Sequence, residues 1–314
     1  MSDSLSAARS VVAMASALSP ALGARAALTL FFETRPRMKV RETDRPTHDR
    51  ARRGTVHVRG RDLATFEWGR GDDTVLLAHG WRGRASQFAT LVRDLVFEGL
   101  HVVAFDAPSH GDSPGGRTDI RDWVGAIEQL QRRHGRFRAV VGHSFGAFAA
   151  LTAVRQGVVS SSVATVSGAG TPAAFLDQFA RTMRLDAATR RGFERAFLRR
   201  MGEDEASLSR AYDALAHPLP ERVRLLAVHD DGDRQMPASW SARLVAAHGE
   251  RARLLRTSGL GHTRILTADP VLDALVALCT AEAPAAQAPR DPASVVPTSV
   301  TWKLWKERDA VGPR

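Results

Sequence analysis

The chain has 314 residues, 44% hydrophobic and 25% charged, which is enough to bury one large core and excludes compositional disorder. Its net charge of +10 comes almost wholly from arginine, which fits either an acidic partner or a solvated surface spread over many helices. Every long apolar run is broken by Arg, Pro or Gly, so no transmembrane span is expected, and the lone Cys279 excludes an internal disulfide.

Residues 1–54 read as a helical segment and a basic linker. Arg9, the apolar Val11 to Leu18 and the small residues Ala21 to Ala24 resemble a short signal peptide, but Asp3, Ser16, Ser19 and Pro20 interrupt that pattern. A helix from Ala21 to Phe32, laid on the domain through Leu28, Phe31 and Phe32, is the reading preferred, with a cytoplasmic protein. Arg35 to Arg53 holds eight Lys/Arg against Glu42, Asp44 and Asp49, with Pro36 and Pro46. No aromatic residue interrupts it for base stacking, so a solvated linker is expected rather than a nucleic-acid arm.

Regular structure is predicted from Thr55. Thr55 to Val58 and Leu63 to Trp68 alternate as a hairpin around Gly60. Val75 to Ala78 and Val102 to Phe105 are unbroken apolar runs, as central strands need, and Phe88 to Val96 and Asp119 to His134 carry helical periodicity between strands. A third run, from Val140, ends in Gly142-His143-Ser144-Phe145-Gly146 and passes into an alanine-rich helix to about Gln156. The strand and helix alternation predicts a mainly parallel sheet covered on both faces. After Val163 to Ser167 the rhythm changes: 171–219 reads as a helical insertion opened by Thr171-Pro172, with Phe175, Phe179, Met183 and Phe193, Phe197, Met201 at four-residue spacing. Its seven arginines between Arg181 and Arg200 fit an anionic substrate or an exposed helix face, the latter preferred. The sheet resumes at Val223, with a further strand at Leu254 and a last helix containing Val271, Leu275 and Cys279. Residues 281–314 open with Ala/Pro repeats and read as a flexible tail, closing on Trp302 and Trp305 among lysines.

The Gly142 to Gly146 stretch reads as a nucleophile elbow. A serine between strand and helix is lifted on a strained turn, and the residues two before and two after it must be small because the chain crosses itself there. A serine hydroxyl is a poor nucleophile at neutral pH, so it needs an imidazole base and a carboxylate to orient that base. Loops after later strands supply both types: His229-Asp230-Asp231-Gly232-Asp233, then Gly261-His262. In a parallel sheet, sites gather beyond the carboxyl ends of the strands.

On these motifs the sequence resembles the α/β-hydrolase fold family over roughly residues 55 to 280, which implies a mostly parallel sheet with helices on both faces and a helical cap at 171–219. The resemblance implies Ser144 as nucleophile, selects Asp233 over Asp230 and Asp231 as the acid, and gives His262 as the base. His79-Gly80 matches the family's oxyanion motif and implies the backbone N–H groups of Trp81 and Phe145 as donors. Asp106 to Ser113 matches a further motif, with Ser109 where glycine is usual; Met236 likewise replaces a common valine. His143 is expected to be a structural neighbour, and His79 to bond locally.

Other motifs carry less. Asp230 to Asp233 lacks the alternating ligands of a calcium loop, Gly168 to Ala173 lies too late in the chain for a dinucleotide fingerprint, and no phosphate-binding G-x-x-x-x-G-K-S/T run occurs. No cofactor, metal or nucleic acid is therefore expected. The function anticipated is hydrolysis of a carboxylic ester, thioester or lactone through an acyl-enzyme on a small-molecule acyl substrate. Acyl transfer, cofactor-free perhydrolysis and a non-catalytic binding protein are the alternatives; serine at the elbow disfavours dehalogenase and epoxide-hydrolase chemistry, which the family usually runs with aspartate there.

Overall fold

A strand covered on both faces has no polar side to show, and the unbroken apolar runs of this chain accordingly make the centre of one sheet. A computed structural model describes residues 2–281. In chain order, α1 (Ser2–Leu18), α2 (Pro20–Phe31) and the short α3 (Arg45–Asp49) precede a hairpin of β1 (Arg52–Val58) and β2 (Arg61–Trp68). Then come β3 (Thr74–Ala78), α4 (Ala89–Phe97), β4 (His101–Phe105), α5 (Ile120–His134), β5 (Phe137–His143), α6 (Phe145–Arg155) and β6 (Ser160–Val166). Between β6 and β7 (Arg224–Asp230) lie α7 (Pro172–Met183), α8 (Ala187–Met201) and α9 (Glu205–Tyr212). The chain continues through α10 (Ser239–His248), β8 (Ala252–Thr257), α11 (Gly261–Arg264) and α12 (Asp269–Thr280).

The strands order as β1-β2-β4-β3-β5-β6-β7-β8, with β1 and β2 antiparallel to their neighbours and the rest parallel. This is the α/β-hydrolase fold that the motifs imply. Alternation along the strands divides the core in two. Leu76, Ala78 and Val140 face Trp123, Ile127 and Leu151 of α5 and α6, whereas Val75, Leu77 and Val141 face Leu91 and Leu95 of α4 and Leu275 of α12. Cys279 is fully buried in that second layer. Each fully buried Leu or Val contributes about 1.5–3 kcal/mol, so covering both faces is what holds the strand ends in place.

Two stretches differ from expectation. The helix expected at Ala21 to Phe32 has a partner: α1 and α2 together pack on Met183 and Phe193 of α7 and α8 through Val12, Ala24 and Ala27, and Arg9 Nε donates to the Thr182 carbonyl at 2.7 Å. The basic linker is not free of the domain. Arg37 donates to the carbonyls of Ser113 and Gly115 at 2.9 and 3.0 Å, and Asp44, Thr47 and His48 are buried. Composition marked this stretch as solvated, but guanidinium-to-carbonyl bonds let a polar segment lie on a core. At the other end of the chain, the tail with Trp302 and Trp305 lies outside the described residues. Among the described residues no helix is long and apolar enough to cross a membrane.

Candidate active site

Strand β5 ends at His143 and α6 begins at Phe145, so Ser144 alone makes the turn between them. Its φ of 54° and ψ of −116° lie in a region L-residues rarely adopt, which costs of order 1–3 kcal/mol and persists only where the surroundings impose it. Those surroundings are backbone. A Cβ on Gly142 would stand 2.3 Å from the Gly146 carbonyl oxygen, and one on Gly146 would stand 2.0 Å from that of Ala78. The Ser144 N–H donates to the Val166 carbonyl at 2.8 Å, tying the turn to β6.

Gly80 brings the loop after β3 against this turn, with its Cβ direction 2.9 Å from Ser144 Cβ. The Trp81 and Phe145 rings meet edge to face at 5.2 Å, fixing the two backbones relative to one another. Neither the Trp81 nor the Phe145 N–H donates a hydrogen bond among the described residues. His79 stays out of the site. It is fully buried, bonds the Gly80 carbonyl at 2.7 Å through Nδ1 and accepts from the Ala107 N–H at 2.9 Å through Nε2, and burial pushes its pKa down to about 4.

The loops after β7 and β8 bring the acid and the imidazole together. His262 Nδ1 lies 2.7 Å from Asp233 Oδ2, and Asp233 Oδ1 accepts from the N–H groups of Gln235 and Met236 at 2.8 and 3.0 Å. Burial alone would raise the Asp233 pKa; hydrogen bonds from His229 and His262, then the His262 charge and the Met236 N–H, outweigh it and hold the carboxyl well below its usual range. The neighbouring acids are engaged elsewhere. Asp230 accepts from Thr257 Oγ1 and the Leu260 N–H, and Asp231 pairs with Arg256. His229 is buried between Ser241 Oγ at 2.6 Å and the Met236 carbonyl at 2.8 Å, tying down the loop that carries Asp233.

Ser144 and His262 line one cavity of about 270 Å³. Aromatic rings make much of its wall, with Phe31 and Phe32 from the α2 end, Phe145 and Phe148 from α6, and Phe175, Phe179 and Phe197 from α7 and α8. Ser144 makes no hydrogen bond to His262 among the described residues; such contacts are often loose without substrate and tighten in the complex. The insertion's arginines do not reach the cavity. Arg181 and Arg190 pair with Asp177 and Glu194, and Arg200 lies over the ring of Phe32 at 4.1 Å.

Three features escaped the sequence. Thr171 and Pro172 do open α7, but the Thr171 hydroxyl donates to Asp213 rather than capping the helix. Ser109, where glycine is usual, has a φ of 68°, which is why glycine suits that position. His143 reaches the His262 backbone, a contact no local pattern announces.

The model for the family described as "Alpha/beta hydrolase family" matches residues 75–309. No curated protein matches the chain. Among solved structures, an esterase of Pyrococcus furiosus is similar at 19% identity with a TM-score of 0.58, over 77% of this chain and 96% of that one. A monoacylglycerol lipase of Paleococcus ferrophilus is similar at 20% identity and 0.52, over 69% and 98%. A bacterial membrane phospholipase A, described as a virulence factor, is similar at 21% and 0.56, over 76% and 88%.

Proposed function

The chain belongs to the alpha/beta hydrolase family, and on that premise we propose that it is a serine hydrolase acting on carboxylic esters with an apolar acyl or alkyl group. The observation that carries this is the shared cavity: Ser144, on its strained turn, and His262, bonded to Asp233, line one aromatic-walled space. In this reading His262 Nε2 takes the proton of Ser144 Oγ as Oγ bonds the acyl carbon. Asp233 fixes the tautomer with the proton on Nδ1 and stabilises the imidazolium. The tetrahedral oxyanion is held by the Trp81 and Phe145 N–H groups, each worth about 3 kcal/mol in comparable sites. Collapse breaks the ester C–O bond, the leaving alkoxide takes the proton from His262, and water repeats the sequence on the acyl-enzyme. The helices α7 to α9 act as a cap over the site, joined by α2.

Purified protein and Ser144→Ala are to be compared with a fluorophosphonate probe and nitrophenyl esters of increasing acyl length. Labelling and turnover in the wild type, both lost in the variant, are expected. A folded wild type that neither labels nor turns over would favour a non-catalytic binding protein, and labelling that survives in Ser144→Ala would put the nucleophile elsewhere. Added acyl acceptors with product analysis distinguish hydrolysis from transfer.

A further inference from the structure

At the opposite ends of the parallel strands, away from Ser144, three metal-ligating side chains from separate elements converge. Glu67 lies on β2, His101 opens β4 and His134 ends α5, and a ligand atom from each falls within 4.8 Å of the other two. His101 Nε2 is 3.2 Å from Glu67 Oε2, and His134 Nε2 is 3.7 Å from Glu67 Oε1. All three side chains are largely buried, with 6, 12 and 9% of their surface exposed in chain order.

Two observations separate this cluster from an ordinary ion-pair network. His134 Nε2 is buried, has no hydrogen-bond partner among the described residues and lies 3.7 Å from Glu67 Oε1, where a buried nitrogen would ordinarily be satisfied. His101 has its other nitrogen, Nδ1, 3.2 Å from Thr74 Oγ1. A proton on Nδ1 donated to that hydroxyl leaves the Nε2 lone pair for a metal, the outer-shell arrangement that ligating histidines use. A cleft lined by Glu67, His101, Trp68 and Arg52 gives an entry path.

We propose that Glu67, His101 and His134 form a divalent-metal site suited to zinc, with water completing a tetrahedron. Two imidazoles and a carboxylate are a donor set zinc accepts, and ligand atoms about 3.4 Å apart follow from bonds of 2.0–2.2 Å. Closing from the present spacing takes small side-chain movements. The competitor is Arg52, whose guanidinium now bonds Glu67 Oε2 from a side chain that is 74% exposed. A bound cation would displace it into solvent, and the other arginines of the cleft, Arg50, Arg70 and Arg93, oppose binding through space. Bound metal would join β2, β4 and α5 as a staple, independently of whether Ser144 reacts.

The test uses untagged full-length protein, stripped with chelator and titrated with zinc chloride by calorimetry, with magnesium as control. One zinc per chain and a rise in melting temperature are expected. Affinity should fall at least about tenfold in His134→Gln and Glu67→Gln. Arg52→Ala should bind zinc more tightly than the wild type, because the competing cation is gone. That variant changes an exposed side chain and decides the matter if a ligand variant fails to fold. No stoichiometric binding, binding unchanged in His134→Gln, or weaker binding in Arg52→Ala would each overturn the site. Ester turnover, measured in parallel, should be the same in Arg52→Ala and wild type.

Discussion

His143 Nε2 donates to the carbonyl oxygen of His262 at 2.9 Å, so the residue before Ser144 fastens the short helix that presents the His262 ring. Its Nδ1 accepts from Gln87 Nε2 at 3.0 Å. Burial, then the nearby His262 charge, pushes the His143 pKa down to about 3, so it stays a neutral, fixed brace at working pH. His143→Phe keeps an aromatic ring, though a slightly larger one, removes both bonds and leaves the Gln87 amide without this partner. Turnover should fall about ten- to a hundredfold with KM little changed, because small displacements of a reacting group cost that much. A folded variant with kcat within twofold of wild type would reduce His143 to packing.

Asp233→Asn should be more severe. It preserves shape but no longer fixes the His262 proton on Nδ1, and in comparable triads the loss in kcat is on the order of 10⁴. Asp231→Asn, altering an exposed pair with Arg256, should leave turnover near wild type. Similar losses in both variants would show that the loop as a whole, rather than one carboxylate, is what matters. The Asp233 carboxyl is held below its ordinary range, so the stability it contributes is present above the unfolded pKa near 4 and disappears as pH falls through the folded value.

Acid should destabilise the fold before that carboxylate protonates. Burial pushes His79 down to about 4, and His110 and His143 to about 3. Below the unfolded pKa of about 6.5 the unfolded chain binds protons the folded chain refuses, so stability falls with pH from 6.5 toward 4. At pH 5 each histidine costs on the order of 2 kcal/mol. Urea melts at pH 8, 6 and 5 should show the decline, and His110→Gln should make it shallower even if it lowers stability at pH 8. A flat profile in the wild type would contradict the burial of these rings.

The short-range parts of the site could be read from sequence. Gly142 and Gly146 are demanded by backbone crossing within five residues, and their identity reports that geometry directly. The loop bearing Asp233 follows the largely apolar Val223 to Val228, whereas the strand before His262 shows only Leu254 and Leu255 between arginines. What sequence did not give is who meets whom across the fold. The partner of His143 is 119 residues away, and Ser109 hides a left-handed backbone behind a residue that does not advertise it. The arginines between 35 and 53 read as solvated because composition counts charge and cannot see carbonyls arriving from Ser113 and Gly115. The α2 pattern marked Phe31 and Phe32 as contacts but could not say that they border a cavity.

That border makes a specificity prediction. Phe31 meets Phe179, Phe193 and Phe197 edge to face at 5.2, 5.4 and 5.9 Å, and Phe32 stacks on Phe197 at 6.2 Å. Both line the cavity, so α2 helps shape a space otherwise built from α5 to α9 and the loops. Phe31→Ala removes a large apolar wall without touching Ser144, His262 or Asp233. If the cavity takes the apolar part of an ester, short-chain substrates should bind worse, with KM rising several-fold and kcat largely kept, because the lost contact is made equally in ground and transition states. Longer acyl chains should gain relative to short ones as the removed ring leaves room. Phe31 is half-buried, so the loss of packing should lower stability by less than the about 3–5 kcal/mol of a fully buried Phe→Ala, and melts must accompany the kinetics at a temperature where the variant remains folded. An unchanged chain-length profile in folded Phe31→Ala would mean that the substrate lies elsewhere and that α2 serves only to hold α8.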